Sequence, residues 1–466
     1  MSGKSHFSSI TRRGFVTGAA AGLLLPALPK TARAQDVTIE AKPASAQLAP
    51  SEYGETGVWA YDGAIPGTPL RLRQGERLRR VLVNRLEQPT TIHWHGIRLE
   101  NAMDGAAGLT QEAVIPGKSF VYDFAAKDAG TYWYHPHRNT LEQLSRGLSG
   151  PLIVEEAEAP DIDDDLILLI QDWRLTPDAQ IASDFTNMHD MAHAGRIGNH
   201  LTVNGQQAYS KTAKAGQQLR LRLINTASDR ILRIGARGLA GHVMALDGMP
   251  LRQPEAFEDI ILAPAQRADL FADVIAEPGE TAHLTSIERD GVFSLAAFPV
   301  NGSAAKTLRA APGALPPNTV ATPGLKDTRT LELLMEGGAM GQMTAARMAD
   351  GKTRSMRELI GQGMVWALNG VAGMTDQPLA KLTRGEDVRV RLVNQTAWPH
   401  AMHLHGHHFQ EVTGKTLGPL RDTILLMPRE EREIAFVADN PGKWMFHCHM
   451  LSHQATGMMS WLEVSA

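Results

Sequence analysis

A short stretch near the C-terminus, HCHMLSHQATGM, carries the only cysteine of this 466-residue chain, Cys448, between His447 and His449. On a β-strand the two flanking histidines point to one face and the cysteine to the other. A cysteine thiolate is a soft ligand, and with two imidazoles and a distant thioether it forms the trigonal site of blue copper proteins. His453 and Met458 follow five and ten residues after the cysteine, which suits a ligand loop.

The other imidazole of this site is expected from His400, on a neighbouring strand. Zinc is the competing metal, but the usual zinc ligands are thiolate, imidazole and carboxylate, and they do not include a thioether. A single cysteine also excludes an intramolecular disulfide. The set therefore favours copper.

Histidines cluster at three further places, and each cluster contains an H-x-H pair that a strand would present on one face. The clusters are HWHG (His93, His95), HPH (His135, His137) and HAMHLHGHH (His400, His403, His405, His407, His408). Hydrogen-bonded core histidines explain one such pair easily but do not explain four. His407 and His408 exceed what copper requires. We expect His407 to hydrogen-bond behind the ligands and His408 to be an ordinary satisfied side chain.

An internal repeat organises the chain. Three segments begin at Asp62-Gly63, Asn204-Gly205 and Asn369-Gly370, and they end in strand-like runs at Asn84, Asn225 and Asn394. Alternating apolar and charged residues in LRLR and VRVRL predict half-buried strands. The sequence therefore predicts an all-β protein of three Greek-key β-sandwich domains.

We expect the domains at residues 35–157, 158–305 and 328–466, with a linker at 306–327 rich in proline, glycine and alanine. An H-x-H pair begins 19 residues after Pro116 in the first domain and 19 residues after Pro428 in the third. The middle domain has no such pair, and its corresponding strand is expected to be RDGVFSLAAF. The histidine chemistry is therefore predicted at the seam between the first and third domains.

Residues 1–34 are typical of an export signal. Twin arginines, Arg12 and Arg13, precede a short apolar run, and Ala32-Arg33-Ala34 offers a cleavage site. The paired arginines favour the Tat route to the periplasm, with no stable membrane anchor after cleavage. The remaining chain has 41 basic and 50 acidic side chains, a net charge of −9, which argues against nucleic acid as a partner.

On these motifs the chain resembles the multicopper oxidases of the three-domain, laccase-like kind. The resemblance implies three cupredoxin-like domains and four copper ions. It implies a type 1 copper on His400, Cys448, His453 and an axial Met458, and a type 2 copper on His93 and His403. The six type 3 ligands are divided here into two groups, the first comprising His95, His135 and His449 and the second His137, His405 and His447.

The resemblance also implies a mechanism. Four one-electron oxidations of a donor are coupled to reduction of O2 to two waters, and electrons pass from Cys448 through the backbone to His447 and His449. Asp104 resembles the family's acidic residue near the cluster and is predicted to deliver protons, although Asp104-Gly105 could simply be a turn. Some bacterial relatives carry an acid directly after the second type 1 histidine, where this chain has Gln454.

The sequence leaves two classes of electron donor open. Seven methionines between Met335 and Met374, and the stretch NMHDMAH, could bind Cu(I) or could fill a core equally well. Copper-efflux relatives have Asp and Met where this chain has Thr396 and Trp398. We therefore expect phenols and aromatic amines as donors, with cuprous oxidation in copper tolerance as the alternative.

Two other functional classes fit the sequence less well. A copper-free periplasmic scaffold would have lost these ligands, and a nitrite reductase typically has two domains per chain. A monomer is expected, because the first and third domains of one chain can close the cluster between them.

Overall fold

The computed structural model describes residues 37–305 and 307–466, and residues 37–466 form one compact unit. The predicted signal peptide, residues 1–34, lies outside the described residues. Within the described part of the chain, every helix is too short or too polar to cross a bilayer.

Residues 37–155 form two four-stranded sheets, with strand orders β2-β1-β4-β6 and β3-β8-β7-β5. The strands are β1 Val37–Ala46, β2 Thr56–Tyr61, β3 Leu70–Arg73, β4 Arg77–Asn84, β5 His93–His95, β6 Ser119–Ala125, β7 Gly130–His135 and β8 Gly150–Glu155. A 3₁₀ turn at Asn101–Met103 and the helix α1, Thr140–Ser145, complete this region.

Residues 164–303 form two further sheets, with orders β10-β9-β13-β18-β15-β16 and β11-β20-β19-β14-β17; β12 pairs with β20. The elements are β9 Asp164–Trp173, α2 Met188–Ala192, β10 His200–Val203, β11 Tyr209–Ser210, β12 Ala213–Ala215, β13 Gln218–Asn225, β14 Leu232–Arg237, β15 Leu239–Leu246, β16 Met249–Ala256, β17 Asp259–Leu262, β18 Arg267–Val274, β19 Thr281–Glu288 and β20 Gly291–Ser303.

Residues 329–465 repeat the pattern, with sheets β24-β21-β26-β31-β28-β29 and β25-β33-β32-β27-β30 and the hairpin β22-β23. The elements are β21 Arg329–Gly337, β22 Ala345–Arg347, β23 Thr353–Ser355, α3 Met356–Gly361, β24 Trp366–Leu368, β25 Ala380–Thr383, β26 Glu386–Asn394, β27 His400–Leu404, β28 Phe409–Thr413, β29 Thr416–Arg421, β30 Thr423–Leu426, β31 Glu431–Ala438, β32 Gly442–Cys448, α4 Leu451–Ala455 and β33 Met459–Ser465.

The all-β prediction is confirmed, and the repeat is visible in strand pairing. In each region the central strand (β4, β13 or β26) pairs in parallel with the first strand and antiparallel with the strand after the proline. The apolar cores of the first and third regions are continuous, while the middle region has a core of its own. The limits of the three domains stay a prediction.

The three repeated asparagines end the central strands and make the same contacts. Each is buried, and its Nδ2 donates to two backbone carbonyls: Gln88 and Val114 for Asn84, Arg230 and Leu262 for Asn225, Trp398 and Met427 for Asn394. In each case Oδ1 accepts the N–H two residues on. A side-chain amide thus satisfies backbone groups that would otherwise be buried without a partner.

One sequence expectation about the middle domain is wrong. We expected RDGVFSLAAF to correspond to the H-x-H strands, but sheet order gives that position to β19, which pairs between β14 and β20 as β32 pairs between β27 and β33. The segment RDGVFSLAAF instead begins in the turn and forms β20, the equivalent of β8 and β33.

Candidate metal centres

Cys448, at the end of β32, lies between two imidazoles. Its Sγ is 3.7 Å from His400 Nδ1 on β27 and 3.8 Å from His453 Nδ1 on α4, and the two Nδ1 atoms are 3.0 Å apart. Met458 is fully buried beside them, since its carbonyl accepts the Cys448 N–H and its N–H donates to the His453 carbonyl. The predicted type 1 ligands His400, Cys448 and His453 therefore come together, with the Met458 backbone beside them.

The outward nitrogens of both imidazoles are already in use. His453 Nε2 lies 2.8 Å from the His193 carbonyl, and His400 Nε2 lies 2.8 Å from Thr396 Oγ1. Because a carbonyl only accepts, His453 Nε2 must carry the proton, which leaves the Nδ1 lone pair facing Cys448. Burial raises the pKa of the Cys448 thiol to about 12, so the sulfur becomes an anionic ligand only beside a cation. The group suits a thiolate-bound metal.

The eight histidines predicted to bind the type 2 and type 3 coppers form one buried cluster between the first and third regions. They are His93, His95, His135, His137, His403, His405, His447 and His449. Strand pairing sets them opposite one another: His93 faces His135 across β5 and β7, and His403 faces His447 across β27 and β32. Burial, followed by repulsion from neighbouring imidazoles, lowers the pKa of six of them well below 6.5; these are His95, His135, His137, His405, His447 and His449.

Backbone carbonyls fix the tautomer of four of these rings. The Nδ1 atoms of His93, His135, His403 and His447 lie 2.8 to 2.9 Å from the carbonyls of Asp104, Pro136, Asp422 and Cys448, in that order. Each of the four Nδ1 atoms therefore donates a hydrogen bond, and each Nε2 lone pair is directed elsewhere.

Several imidazole nitrogens of the cluster are buried and have no hydrogen-bond partner among the described residues. They are His93 Nε2, His403 Nε2, His95 Nδ1 and His449 Nδ1. A buried polar atom without a partner is costly in a native protein, so the free lone pairs of His93 Nε2 and His403 Nε2 favour a bound metal. Uncharged imidazoles with free lone pairs, gathered at one point, are the donor set that copper prefers.

The predicted division of the ligands can be compared with these distances. Ligand nitrogens of His137, His405 and His447 lie within 4.8 Å of one another, which matches one predicted type 3 group. For the other group, His135 Nε2 is 3.4 Å from His449 Nε2, and the rings of His95 and His449 are 4.9 Å apart.

His93 lies close to two different groups of histidines. It also groups within 4.8 Å with His403 and His405, and separately with His95 and His135. The division of the eight histidines among three coppers therefore stays a prediction.

Asp104 follows the 3₁₀ turn of the first region and reaches into the third. Its carboxylate oxygens lie 3.0 and 3.1 Å from His405 Nδ1, and Oδ1 is 3.3 Å from His93 Nδ1. The side chain is buried against the cluster, so Asp104-Gly105 is more than a surface turn. Its contacts orient His405, whereas its part in proton delivery stays a prediction.

Asp422 was missed by the sequence analysis. It lies between β29 and β30, where its Oδ1 is 3.3 Å from His95 Nε2, and its two oxygens accept hydrogen bonds of 2.9 and 2.6 Å from Arg267. Burial favours the protonated acid, but Arg267 and His95 outweigh it and hold the pKa of Asp422 well below 3.8. Among 50 acidic residues no sequence signal singles this one out.

Arg267 connects the middle region to the cluster. It stands at the start of β18, fully buried, and also donates to the carbonyls of Thr131 and Ala265. The region without histidine pairs thus contributes a guanidinium that fixes Asp422, and Asp422 in turn fixes His95. Spacing alone could not predict this contact, because the three residues are more than 150 positions apart in sequence.

Of the two surplus histidines, His407 forms hydrogen bonds as expected, whereas His408 is not fully satisfied, because its buried Nδ1 has no hydrogen-bond partner among the described residues. His407 Nδ1 is 3.2 Å from the His405 carbonyl, and the Asn440 N–H approaches its Nε2 at 3.4 Å. His408 Nε2 lies 3.4 Å from the Asp247 carbonyl. Neither belongs to a group that could hold a metal.

Most methionines of the 335–374 segment pack rather than face solvent. Met343, Met348, Met356 and Met364 surround a small core of Ala346, Leu359, Ala367 and Ala372, and Met335 is buried in the main core. Met340 is the exception, with 70% of its surface exposed.

The distance between the two centres is short along the backbone. His447 and His449 are the direct neighbours of Cys448, and His447 Nδ1 donates to the Cys448 carbonyl at 2.9 Å. On a strand that rises about 3.3 Å per residue, this gives a compact covalent and hydrogen-bonded route between the centres.

Comparisons with known proteins agree with this geometry. Three sequence models described as multicopper oxidase match residues 44–159, 164–282 and 340–466. The multicopper oxidase MmcO of Mycobacterium tuberculosis is 31% identical over 443 residues, which cover 86% of this chain and 82% of that protein.

Two solved structures are also similar. The multicopper oxidase of Pseudomonas thermotolerans is 33% identical with a TM-score of 0.80, over 92% of this chain and 99% of that one. Lac15 from a marine microbial metagenome is 39% identical with a TM-score of 0.75, over 92% and 100%. The chain belongs to the multicopper oxidase family, whose members are oxidoreductases that use four copper ions (one type 1, one type 2 and a type 3 pair) and take O2 as acceptor.

Proposed function

We propose that this enzyme is laccase-like and oxidises phenols and aromatic amines by one electron at a time. The observation that carries the proposal is the identity and bonding of two residues beside the type 1 centre, Thr396 and Trp398. Thr396 Oγ1 is occupied by His400, and the Trp398 indole N–H donates to the Ala339 carbonyl at 3.0 Å. Copper-efflux relatives have a carboxylate and a thioether at these two positions, so two ligands for a Cu(I) substrate are replaced by a hydroxyl and an aromatic ring.

We assign the ligands as the sequence predicted. His400, Cys448, His453 and Met458 hold the type 1 copper, and His93 and His403 hold the type 2 copper. The type 3 pair is held by His95, His135 and His449 on one ion and His137, His405 and His447 on the other. When bound, these ions accept single electrons and deliver four of them to O2.

The chain itself orients the ligands, excludes bulk water and supplies protons. Carbonyls and carboxylates on the outer edges hold the imidazoles in one tautomer. Burial of all eight cluster histidines keeps bulk water from the reacting oxygen. Asp104, in contact with His405, is the group from which we expect protons to be supplied, since Gln454 has no acidic proton.

The test compares donors on the copper-loaded enzyme. We expect 2,6-dimethoxyphenol to be oxidised without added copper, and expect kcat/KM for this phenol to exceed that for Cu(I) stabilised in acetonitrile. Cys448→Ser is the matched control; it should abolish the blue thiolate-to-copper absorption and almost all phenol turnover, because its hydroxyl is a poor ligand for copper. Phenol turnover that appears only with excess Cu(II), beside rapid oxidation of Cu(I), contradicts the proposal.

A cuprous oxidase is the second candidate, and one observation favours it. Met340 and His189 are both exposed, and each carries an atom that can bind copper. The N–H of Ala339, the residue before Met340, donates to the carbonyl of Ala192, which lies three residues after His189. Under this alternative Met340→Leu raises KM for Cu(I) and leaves KM for the phenol unchanged.

We further propose export to the periplasm by the Tat route and a monomeric enzyme. The support is the twin-arginine segment and the meeting of the first and third regions within one chain. Replacing Arg12 and Arg13 together by lysine should leave the protein in the cytoplasm on cell fractionation. Light scattering of the purified enzyme should give about the mass of one chain.

A further inference from the structure

The type 1 centre is covered by the C-terminal end of helix α2, a segment of the middle region. Three successive carbonyls there accept hydrogen bonds from the third region: Met191 from the Trp366 indole at 2.7 Å, Ala192 from the Ala339 N–H at 2.7 Å, and His193 from His453 Nε2 at 2.8 Å. The last carbonyls of a helix lack partners within the helix, so these contacts satisfy them. One of the donors is a predicted copper ligand.

This cover is fixed in position on its other side as well. The Arg196 N–H, three residues on, donates to Asp229 Oδ2 at 3.0 Å and to Ser452 Oγ at 3.1 Å. Asp229 also accepts the Ser452 N–H at the start of α4, so one buried carboxylate joins the cover to the helix that carries His453. His400 and His453 have no exposed surface. A donor could touch either imidazole only by breaking buried hydrogen bonds.

Three rings form the outer face of the cover. His193 stacks on His189 with centroids 4.0 Å apart and planes 13° apart, and it meets Trp398 edge to face at 5.1 Å. His189 is exposed, while His193 and Trp398 are half-buried. The His193 peptide thus has an aromatic surface on its solvent side and a hydrogen bond to His453 on its inner side.

We propose that a planar aromatic donor docks on the rings of His189, His193 and Trp398, and that its electron crosses the His193 carbonyl to His453. The donor class rests on the proposed function. A phenol loses one electron and its hydroxyl proton to become a phenoxyl radical; the electron reduces type 1 Cu(II) to Cu(I), and the proton goes to water. Aromatic contacts are individually weak, which suits a shallow site of modest affinity.

The kinetic test follows bleaching of the blue band without O2. In His189→Ala, Trp398→Leu and the double variant, we expect the rate of reduction by 2,6-dimethoxyphenol to fall, by about tenfold or more in the double variant. Reduction by ferrocyanide, which has no ring to stack, should stay within about twofold, as should reoxidation by O2. His283→Ala, half-buried on β19, and Phe293→Leu, exposed on β20, are matched controls and should change none of these rates.

Binding is measured separately from turnover. Saturation-transfer NMR with 1,2-dimethoxybenzene, which the enzyme is not expected to oxidise, should give a signal with the wild type and both controls and lose it in the double variant. Equal signals and equal phenol rates in wild type and double variant overturn the docking site. If the wild type prefers Cu(I) to phenols, the proposed function fails, while the NMR comparison still decides whether the aromatic surface binds.

Discussion

Asp104 and Asp422 are near-equivalent carboxylates in opposite halves of the histidine cluster. The carbonyl of each fixes a histidine of its own region, His93 or His403. The side chain of each then crosses to the other region, Asp104 to His405 and Asp422 to His95. The two aspartates therefore join the first and third regions symmetrically.

The difference lies in what stands behind each carboxylate. Arg267 holds Asp422 with two hydrogen bonds and keeps its pKa well below 3.8. Within the described residues no arginine or lysine forms an ion pair with Asp104, whose partners are His405 and His93. A carboxylate beside a guanidinium stays ionised, so Asp422 can orient a ligand but cannot give up a proton. Asp104 has no such cation among the described residues, and this is the difference that the proposed role of Asp104 in proton delivery depends on.

The largest effect is expected from Arg267→Leu. This change leaves the Asp422 carboxylate buried without its cation, which costs about 3–5 kcal/mol of unfolding free energy. The double variant Arg267→Leu with Asp422→Asn should recover much of the loss, because no charge is then left buried. Urea unfolding and the copper content of each purified protein measure the two effects.

Arg233→Leu is the matched control for this change. Arg233 makes a similarly short contact with Asp259, 2.7 Å against 2.6 Å, but on the surface. Exposed ion pairs are screened by solvent and contribute little to stability, so this variant should unfold almost as the wild type does. Equal losses in Arg233→Leu and Arg267→Leu contradict the role given to Arg267.

The two aspartates show which parts of the site can be predicted from the sequence. Asp104 could be singled out because it follows HWHG by a few residues and resembles a family position. The candidate ligands could be predicted because strand periodicity brings H-x-H pairs to one face and Cys448 to the other, while the copper that each would hold comes from the resemblance. The repeated asparagines were found from their spacing, although their shared contacts with backbone carbonyls were not.

Other parts depend on contacts between distant segments. Asp422 matters because Arg267 and His95 meet it, and His193 matters because its carbonyl, rather than its ring, faces His453. A backbone carbonyl is present at every residue, so no residue type reveals it. The wrong strand in the middle domain has a simpler cause, since no histidine pair was available there to fix the alignment.

The second prediction separates the two aspartates by kinetics. Asp104→Asn should slow reoxidation of the reduced enzyme by O2 about 10²-fold, the usual size of a general-acid effect, and leave the blue spectrum and its reduction by donors unchanged. Asp422→Asn should instead lower copper content, because His95 loses a charged partner. Stopped-flow reoxidation and metal analysis distinguish the outcomes. If Asp104→Asn reoxidises as fast as wild type, Asp104 has no part in proton delivery.

The smallest effect concerns a third buried carboxylate, Asp229, which holds the type 1 loop from the middle region. Burial raises its pKa to about 6, against the hydrogen bonds from Ser452 and Arg196 that favour the anion. Its usual value is 3.8, so between pH 3.8 and about 6 the folded chain keeps a proton that the unfolded chain has released. The stability this group contributes is fully present below pH 3.8 and is lost as pH rises through about 6.

Asp229→Asn removes that titration. The difference in unfolding free energy between wild type and variant should therefore shift against the wild type as pH rises from 4 to 6, by about 1.4 kcal/mol per pH unit at most. Urea unfolding of the copper-free proteins at pH 4, 5, 6 and 7 measures it. Asp259→Asn is the control: Arg233 lowers the pKa of Asp259 below 3.8, so its contribution is lost only below that pH and the difference should stay constant from pH 4 to 7. A pH-independent difference for Asp229→Asn means that the three hydrogen bonds outweigh burial, and that Asp229 stays ionised as Asp422 does.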